Sequence, residues 1–212
     1  FCDADDVVSP GWVAALHAGL TDTDLVAGGL EWERLNARNK ASVSWSEGGA
    51  ITLAFRPDLA GAPSNNLGVR ADVFTELGGF DESLRTGEDL DLCWRAQLGG
   101  GTLRRVPEAV VHARKRDGLR AVYRQAYSYA VGIEELRRRY AQESRSVPDP
   151  AVSAPPLPEA DGTTRRTPSG TRAAAVAERL RRLATRAASV RGTGDFADVA
   201  WRLGQDRGRR AG

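Results

Sequence analysis

A chain of 212 residues is long enough for one domain with a sizeable core and an additional segment. Its hydrophobic fraction of 41% is ordinary for a globular protein, and no apolar stretch approaches the roughly 20 residues that cross a bilayer. The formal net charge of +2 is divided unevenly, because residues 1–140 are acidic overall and residues 141–212 are basic. This division predicts an acidic body and a basic tail with separate roles.

The two cysteines lack the paired spacing of zinc sites and of thiol redox motifs. We therefore expect Cys2 and Cys93 to be reduced residues of the core. A disulfide between them is left open by the sequence, which offers nothing in its support.

The first thirty residues predict a strand, a helix and a second strand. Phe1 and Cys2 are typical of a strand end that runs into an acidic loop. Ser9 is suited to cap a helix that has Pro10 at its first position. The apolar residues that follow at helical spacing are Trp12, Val13, Leu16 and Leu20. Residues 25–29 are typical of a buried strand, so the opening predicts an α/β layered domain.

The next part of the chain is predicted to continue this layered pattern. Residues 36–50 are polar and are expected to form a long loop or a loose helix. Residues 51–55 are a strand candidate, and residues 64–70 predict a second strand that is entered by a turn. A short helix is predicted from Ala71 to the glycine pair at 78–79, because glycine readily forms the left-handed cap.

The stretch after Gly87 carries three acids within four positions. Glu88, Asp89 and Asp91 stand at the start of a helical pattern, where the partial positive charge of a helix N-terminus favours carboxylates. The apolar residues of this pattern, spaced by four, are Leu90, Trp94 and Leu98. Asp91 can pair with Arg95 one turn later, which is a structural role. An acidic helix start alone is ordinary, but a second acidic cluster near the beginning of the chain indicates a shared site.

The remainder of the acidic body is predicted to contain strands and one long helix. The glycines at 99–101 end the acidic helix. Residues 102–106 and 109–112 are strand-like, with Pro107 between them. A long amphipathic helix is expected over residues 119–140.

Beyond residue 140 the composition changes. Residues 141–172 are rich in proline, serine and threonine, which predicts a disordered linker. Residues 173–212 predict a basic helical tail, with an apolar stripe over residues 173–191. A last short helix is expected to hold Phe196, Val199 and Leu203.

Asp3 and Asp5 form the acidic cluster near the beginning of the chain. Two carboxylates at positions i and i+2, beyond the carboxyl end of a strand, can converge on one cation. Hard cations such as Mg²⁺ and Mn²⁺ take one or two carboxylates together with phosphate oxygens of a substrate. Taken alone, this pair is equally typical of a solvated surface loop.

Four motifs, in order, give the sequence a family resemblance. They are FCDADD at the start followed by Pro10, NNLGVR at 65–70, LGGFDE at 77–82 and GEDLDL at 87–92. Together they resemble the family-2 glycosyltransferases of GT-A fold over residues 1–140. The resemblance implies an α/β, Rossmann-like mixed sheet with flanking helices. It also implies inverting transfer of a sugar from a nucleotide-sugar donor to the hydroxyl of a glycan or lipid-linked acceptor, as in cell envelope polysaccharides.

The same resemblance implies roles for individual residues. Asp3 and Asp5 would bind Mn²⁺ or Mg²⁺, with Asp5 as the direct ligand, and His112 would complete the metal shell unless it has a structural role. Asp89 would be the general base that takes the proton of the acceptor hydroxyl, and Glu88 would position the base or the acceptor. The residues expected to contact the acceptor or the donor are Asn66, Asp91 and Arg95. We also expect the helix N-terminus to keep Asp89 ionised and to make it a weaker base.

The sequence departs from the family pattern before its first motif. In the family, a βαβα half that binds the nucleoside precedes the DxD strand, and the sequence given has no counterpart of it. We therefore expect residues 1–140 to be the acceptor side of a GT-A domain without its nucleotide-binding half. On this interpretation the chain is a fragment that is inactive alone.

A haloacid-type phosphatase is the first alternative that the residues leave open. Its opening motif also fits Asp3-Ala4-Asp5-Asp6-Val7, with Asp3 as the nucleophile and Asp5 as an acid–base group. That fold needs a lysine shortly before its later acidic motif. Lys40 and Lys115 do not stand at that place in the sequence.

A non-enzymatic binding module is the second alternative. Residues 173–191 combine an apolar stripe with arginines and are expected to lie either in solvent or on an anionic membrane surface. They lack interleaved aromatic residues, so we expect no nucleic-acid partner. The expected location is the cytoplasm, with the inner face of the cell membrane as a peripheral contact.

Overall fold

The structure is a computed structural model that describes residues 1–36, 49–140 and 193–211. Its strands are β1 (Val7–Val8), β2 (Leu25–Glu31), β3 (Ile51–Leu53), β4 (Arg56–Gly61), β5 (Leu67–Val69) and β6 (Leu103–His112). Its helices are α1 (Trp12–Gly19), α2 (Ala71–Glu76), α3 (Glu88–Leu98), α4 (Leu119–Tyr140) and α5 (Thr193–Ala211). The predicted linker 141–172 and the predicted stripe 173–191 lie outside the described residues.

A four-stranded mixed sheet has the order β1-β6-β2-β5 and forms the centre of the fold. Strands β2 and β6 run parallel, while β1 pairs antiparallel with β6 and β5 pairs antiparallel with β2. Strands β3 and β4 form a separate antiparallel hairpin. Flanking helices complete an α/β fold, which confirms the predicted class and is consistent with part of a GT-A domain.

Strand β2 lies at the centre of this sheet because its side chains suit burial on both faces. Every residue of Leu25–Leu30 is buried, as the continuous apolar pattern predicted. The pairing with β6 shifts register between Gly28 and Gly29, opposite Pro107, where proline cannot donate a ladder hydrogen bond. The two strand segments predicted on either side of Pro107 are therefore one irregular strand.

The beginning of the chain differs from the prediction. Phe1 and Cys2 are not in a strand, and the first strand is the short β1. Ser9 does not cap α1 with its side chain, since the helix follows Gly11, whose φ of 81° gives the turn without side-chain capping. Cys2 is exposed, so its predicted place in the core is wrong, because the loop that holds it lies at the surface. Cys93 is buried, and both thiols are free as predicted.

Helix α3 packs its apolar side into the largest core cluster. Leu92, Cys93 and Trp94 are fully buried there, together with Leu25 and Leu67 from the sheet. The predicted stripe ends earlier than expected, because Leu98 is 46% exposed in the last turn of the helix. This packing fixes the position of α3 and therefore the direction in which its N-terminus points.

Helices α4 and α5 pack closely through small residues. Gly204 approaches the carbonyl oxygen of Tyr123 and the methyl group of Ala126, and Gly208 makes the equivalent contact one turn later with Ala130. Helix α5 is a 19-residue helix, longer than the short one predicted, and Leu203 on it is 41% exposed. No helix among the described residues is long and apolar enough to cross a membrane.

Candidate active site

A cleft of about 320 Å³ opens where the two acidic clusters meet. The clusters are far apart in the sequence, at residues 3–6 and 88–91, and the fold brings Asp3 and Asp5 to the same cavity as Glu88 and Asp89. The loop of residues 3–6 stands at the end of the sheet where β6 finishes, since β1 follows that loop and pairs with the last residues of β6. Four of the predicted site residues therefore line one space.

Asp89 is the carboxylate that the fold holds most firmly in this cleft. Its Oδ1 accepts a hydrogen bond of 2.8 Å from the backbone N–H of Leu90, and its Oδ2 accepts one of 3.0 Å from Ser64. Burial, and then the negative charge of Glu88, raise the pKa of Asp89 to about 6. Backbone N–H groups do lower this pKa, as we expected of the helix N-terminus, but desolvation and the neighbouring acid outweigh them. Our expectation of a weaker base is therefore wrong.

The loop of residues 3–6 presents two carboxylates to the cleft and uses a third to hold itself in place. Asp6 accepts hydrogen bonds from the side-chain amide of Asn65 (3.0 Å) and from the backbone N–H of Arg114 (2.7 Å). Asp3 and Asp5 remain exposed. Burial raises the pKa of Asp3, and the charges of Asp6 and Asp5 raise it further. The loop thus concentrates negative charge beside the cleft.

A divalent cation would suit the pair Asp3 and Asp5. Both offer exposed carboxylate oxygens, and Mg²⁺ or Mn²⁺ needs only one or two such ligands when phosphate oxygens supply the others. No group of three or more His, Cys, Asp or Glu side chains that could hold a metal by itself occurs in the described parts of the chain. A cation at this pair would therefore need further ligands from a bound molecule, such as phosphate oxygens.

His112 lies apart from that pair. It is the last residue of β6, and its Nδ1 lies 2.6 Å from Oε2 of Glu31 at the end of β2. It does not line the cleft. Because its ring is already engaged by a carboxylate, the structure gives His112 the contacts of a residue that joins two neighbouring strands.

Asn66 is fully buried and braces three elements rather than lining the cleft. Its amide nitrogen donates to the carbonyl oxygens of Gly29 and Ala109, each at 2.7 Å, and its carbonyl oxygen accepts from the indole N–H of Trp12 at 2.8 Å. All of its polar atoms are therefore satisfied within the protein. The register shift in β6 supplies the carbonyl group of Ala109 to this bracing network.

Asp91 and Arg95 also lie outside the cleft. Their predicted ion pair is present, with 2.7 Å between Nε of Arg95 and Oδ2 of Asp91. The other carboxylate oxygen of Asp91 accepts from the hydroxyl of Tyr140 at 2.7 Å, and Arg95 also donates to the carbonyl oxygens of Leu77 and Gly79. These contacts hold α3 against α4 and against the loop after α2.

Comparisons with known proteins identify the family of the chain. The model of the family described as "Glycosyl transferase family group 2" matches residues 1–176, which is most of the chain.

The chain belongs to glycosyl transferase family group 2.

Two curated members of the glycosyl transferase class resemble it. They are the pre-mycofactocin glycosyltransferases of two Mycobacterium tuberculosis strains, CDC 1551 / Oshkosh and ATCC 25618 / H37Rv. Each is 31% identical over 128 residues, which cover 57% of this chain. The match covers 27% of each relative, so the chain spans only about a quarter of their length.

The cleft has a basic part that we did not predict. Arg114, Lys115 and Arg116 stand shortly after the end of β6 and line the cavity. The guanidinium of Arg114 donates to the backbone carbonyl oxygen of Asp5 at 3.1 Å, and Nη1 of Arg116 lies 3.9 Å from Oδ2 of Asp5. The signal was present as a run of three cations just beyond the end of a predicted strand.

Its apolar side was also missed. Tyr129 and Ile133 of α4 line the cleft, and Trp201 reaches it from α5. The rings of Tyr129 and Trp201 lie 6.0 Å apart at an interplanar angle of 71°. The contribution of Trp201 depends on how α5 docks, and no local pattern in the sequence indicates that contact.

Proposed function

We propose that the protein containing this chain transfers a sugar from a nucleotide-sugar donor to an acceptor hydroxyl with inversion at the anomeric carbon. The observation that carries the proposal is the convergence of Asp89 with Asp3 and Asp5 in one cleft, in a chain that belongs to a glycosyl transferase family. Inverting transfer needs a base for the acceptor beside a site for the leaving diphosphate. The cleft offers both kinds of groups.

Asp89 is the proposed base. As the acceptor oxygen forms its bond to the anomeric carbon, the bond to the diphosphate breaks, and the nucleoside diphosphate leaves with that electron pair. The hydroxyl proton passes to the carboxylate of Asp89. With a pKa of about 6, Asp89 is mostly ionised near neutral pH and is a stronger base than an ordinary aspartate. The N–H groups of Ser64 and Leu90 keep the carboxylate in place.

We assign binding of the leaving diphosphate to the three cations after β6 and to the acidic loop of residues 3–6. Arg114, Lys115 and Arg116 can neutralise charge on the leaving diphosphate, while Asp3 and Asp5 would hold a shared Mn²⁺ or Mg²⁺. When bound, such a cation supplies Lewis-acid stabilisation of the leaving group. Glu88, also in the cleft, is placed to position the acceptor or to tune Asp89.

The phosphatase alternative gains one feature from the structure, because Lys115 lines the same cleft as Asp3. Family membership favours glycosyl transfer instead. Hydrolysis of a chromogenic phosphate ester that depends on Asp3 would favour the alternative. A glycan or lipid-linked acceptor, and contact of residues 173–191 with an anionic membrane, stay predictions from the sequence.

The test is donor turnover by the full-length protein with a panel of nucleotide-sugars, measured as released nucleoside diphosphate. We expect activity to require Mn²⁺ or Mg²⁺ and to be lost largely in Asp5→Asn without a change in melting temperature. Asp72→Asn is the matched control. Asp72 lies on α2, is exposed and pairs with Arg70. Product NMR should show an inverted anomeric configuration. Full activity in excess chelator would disprove the cation role.

A further inference from the structure

The lining of the cleft has two chemically different parts, and the apolar one has no role in the reaction derived above. Part of the lining is charged and consists of the acidic loop and the three cations that follow β6. The rest of the lining includes apolar and aromatic residues. They are Ile51 and Leu53 of β3, Val122, Tyr129 and Ile133 of α4, and Trp201 of α5.

The aromatic part of this lining shares the cleft with the proposed base. Desolvation raises the pKa of Tyr129, and the charges that act on this phenol include those of Asp89, Arg116 and Asp3. The Tyr129 hydroxyl accepts a hydrogen bond of 3.0 Å from the side chain of Gln125. The phenol is thus held in the cleft within the electrostatic reach of Asp89.

Trp201 is brought to the cleft by a segment beyond the family match. The match ends at residue 176, whereas α5 covers Thr193–Ala211. The close approach of Gly204 and Gly208 to α4 fixes how α5 lies, because any side chain at these positions would overlap the α4 backbone. The indole of Trp201 therefore meets the ring of Tyr129 in a definite edge arrangement.

We propose that Tyr129 and Trp201 form the wall of the acceptor subsite, and that α5 thereby restricts the acceptor to a hydroxyl carried on or beside a ring with an apolar face. This inference rests on the proposed function. The diphosphate occupies the charged part of the lining, and the base must reach the acceptor hydroxyl. The transferred sugar lies between the diphosphate and the base, and we assign the remaining wall to the acceptor.

A ring with an apolar face can be an aromatic ring or the C–H face of a sugar, and both pack favourably on indole and phenol rings. A flexible alkyl chain gains less from such a wall, because it must give up conformational freedom to lie flat on it. Ring shape, rather than apolar area alone, is therefore what this wall selects.

The test measures ligand binding to the whole 212-residue chain by saturation-transfer NMR. The probes are benzyl alcohol, methyl β-D-glucopyranoside and, as the control without a ring, n-hexanol. We expect one ring probe to bind at least threefold more tightly than n-hexanol, and the ring probe that binds identifies the source of the ring. Trp201→Ala should weaken that binding about tenfold, and Trp201→Phe should restore most of it.

Two further variants distinguish the loss of the aromatic wall from general damage to the fold. Gly204→Leu would force α5 away from the Tyr123 carbonyl group, so it should lose ring binding even though Trp201 is still present. Leu203→Ala, an exposed change on the same helix, should leave binding unchanged. Circular dichroism melts of all variants show whether the remaining fold is intact.

The outcomes distinguish this inference from the proposed function. Equal ring binding by wild type and Trp201→Ala, or no preference for a ring over n-hexanol, overturns the acceptor wall. In the full-length protein, a Trp201→Ala variant that loses affinity for a nucleoside diphosphate with Mg²⁺ but keeps ring binding would assign the wall to the donor and would also overturn it. Neither result affects the base, whose failure would appear as full donor turnover in Asp89→Asn.

Discussion

Asp89 and Asp91 lie two residues apart in the first turn of α3 and have opposite surroundings. Asp91 is 3% exposed, and its carboxylate is bound by the guanidinium of Arg95 and the hydroxyl of Tyr140. Asp89 lines the cleft and is held by two backbone N–H groups, with the like charge of Glu88 beside it. One helix start therefore carries both a structural carboxylate and a reactive one.

The difference shows how a helix can assign two roles to one acidic motif. Successive helix positions point about 100° apart, so Asp89 and Asp91, two positions apart, point in nearly opposite directions. One helix turn can therefore present one carboxylate to the core and another to the cleft. In the core, a cation and a hydroxyl compensate the cost of burying Asp91. In the cleft, burial next to Glu88 raises the pKa of Asp89 to about 6, which suits a base. The following three substitutions test this division, from the largest expected effect to the smallest.

Asp89→Asn should have the largest effect on turnover. The amide has nearly the shape of the carboxylate but cannot accept the acceptor proton, so kcat of the full-length protein should fall by about 10²–10⁴. Steady-state kinetics with the active donor measures this. The melting temperature should stay within a few degrees of wild type, because two changes oppose each other. The amide can accept only one of the two backbone N–H bonds, but the variant no longer buries a negative charge beside Glu88.

Asp91→Asn is the matched change on the structural carboxylate. It removes the charge that faces Arg95 and weakens the contact with Tyr140, so we expect a loss of about 1–3 kcal/mol in the free energy of unfolding. Urea denaturation measures that loss. At a temperature where both proteins are folded, kcat should stay within about threefold of wild type. A large fall in kcat with unchanged stability would show that we have assigned the wrong role to Asp91.

The sequence allowed much of the central fold to be predicted, because local patterns and tertiary packing agree there. The buried run of β2 and the periodic apolar positions of α3 led to the observed elements. The two acidic clusters were expected to share a site, and they line one cleft. In these cases the spacing of the apolar residues indicates which face of each element is buried, so few arrangements of the elements are possible.

Other features depended on contacts that no local pattern contains. Asn66 belongs to a motif that resembled a binding site. Its side chain is instead buried, and the irregular part of β6 near Pro107 provides the carbonyl oxygen of Ala109 to which it donates. The pKa of Asp89 depends on how much of the side chain the cleft desolvates, a quantity that the helix N-terminus alone does not give. Trp201 enters the cleft only because Gly204 lets α5 approach α4.

Glu88→Gln should produce the smallest of the three effects, a shift in pH dependence. Asp89 must be ionised to act as a base, so kcat/KM should rise with pH and reach a plateau above about 6. The titratable groups that interact with Asp89 include Glu88, Cys93 of the following turn and Tyr129 of α4. Of these, Glu88 is the one whose negative charge raises the pKa of Asp89.

Removing that charge with a neutral isostere should therefore move the midpoint of the acidic limb to lower pH. The shift should not reach the ordinary aspartate value of 3.8, because burial is the first cause of the raised pKa and persists in the variant. Glu76→Gln on α2, an exposed acid outside the cleft, is the control and should leave the midpoint unchanged. The readout is the midpoint and not the plateau, since Glu88 also contacts the cleft and its loss can lower the rate at every pH. An unchanged midpoint in Glu88→Gln would mean that another group produces the limb, and the separation between Asp89 and Asp91 would then need a different physical cause.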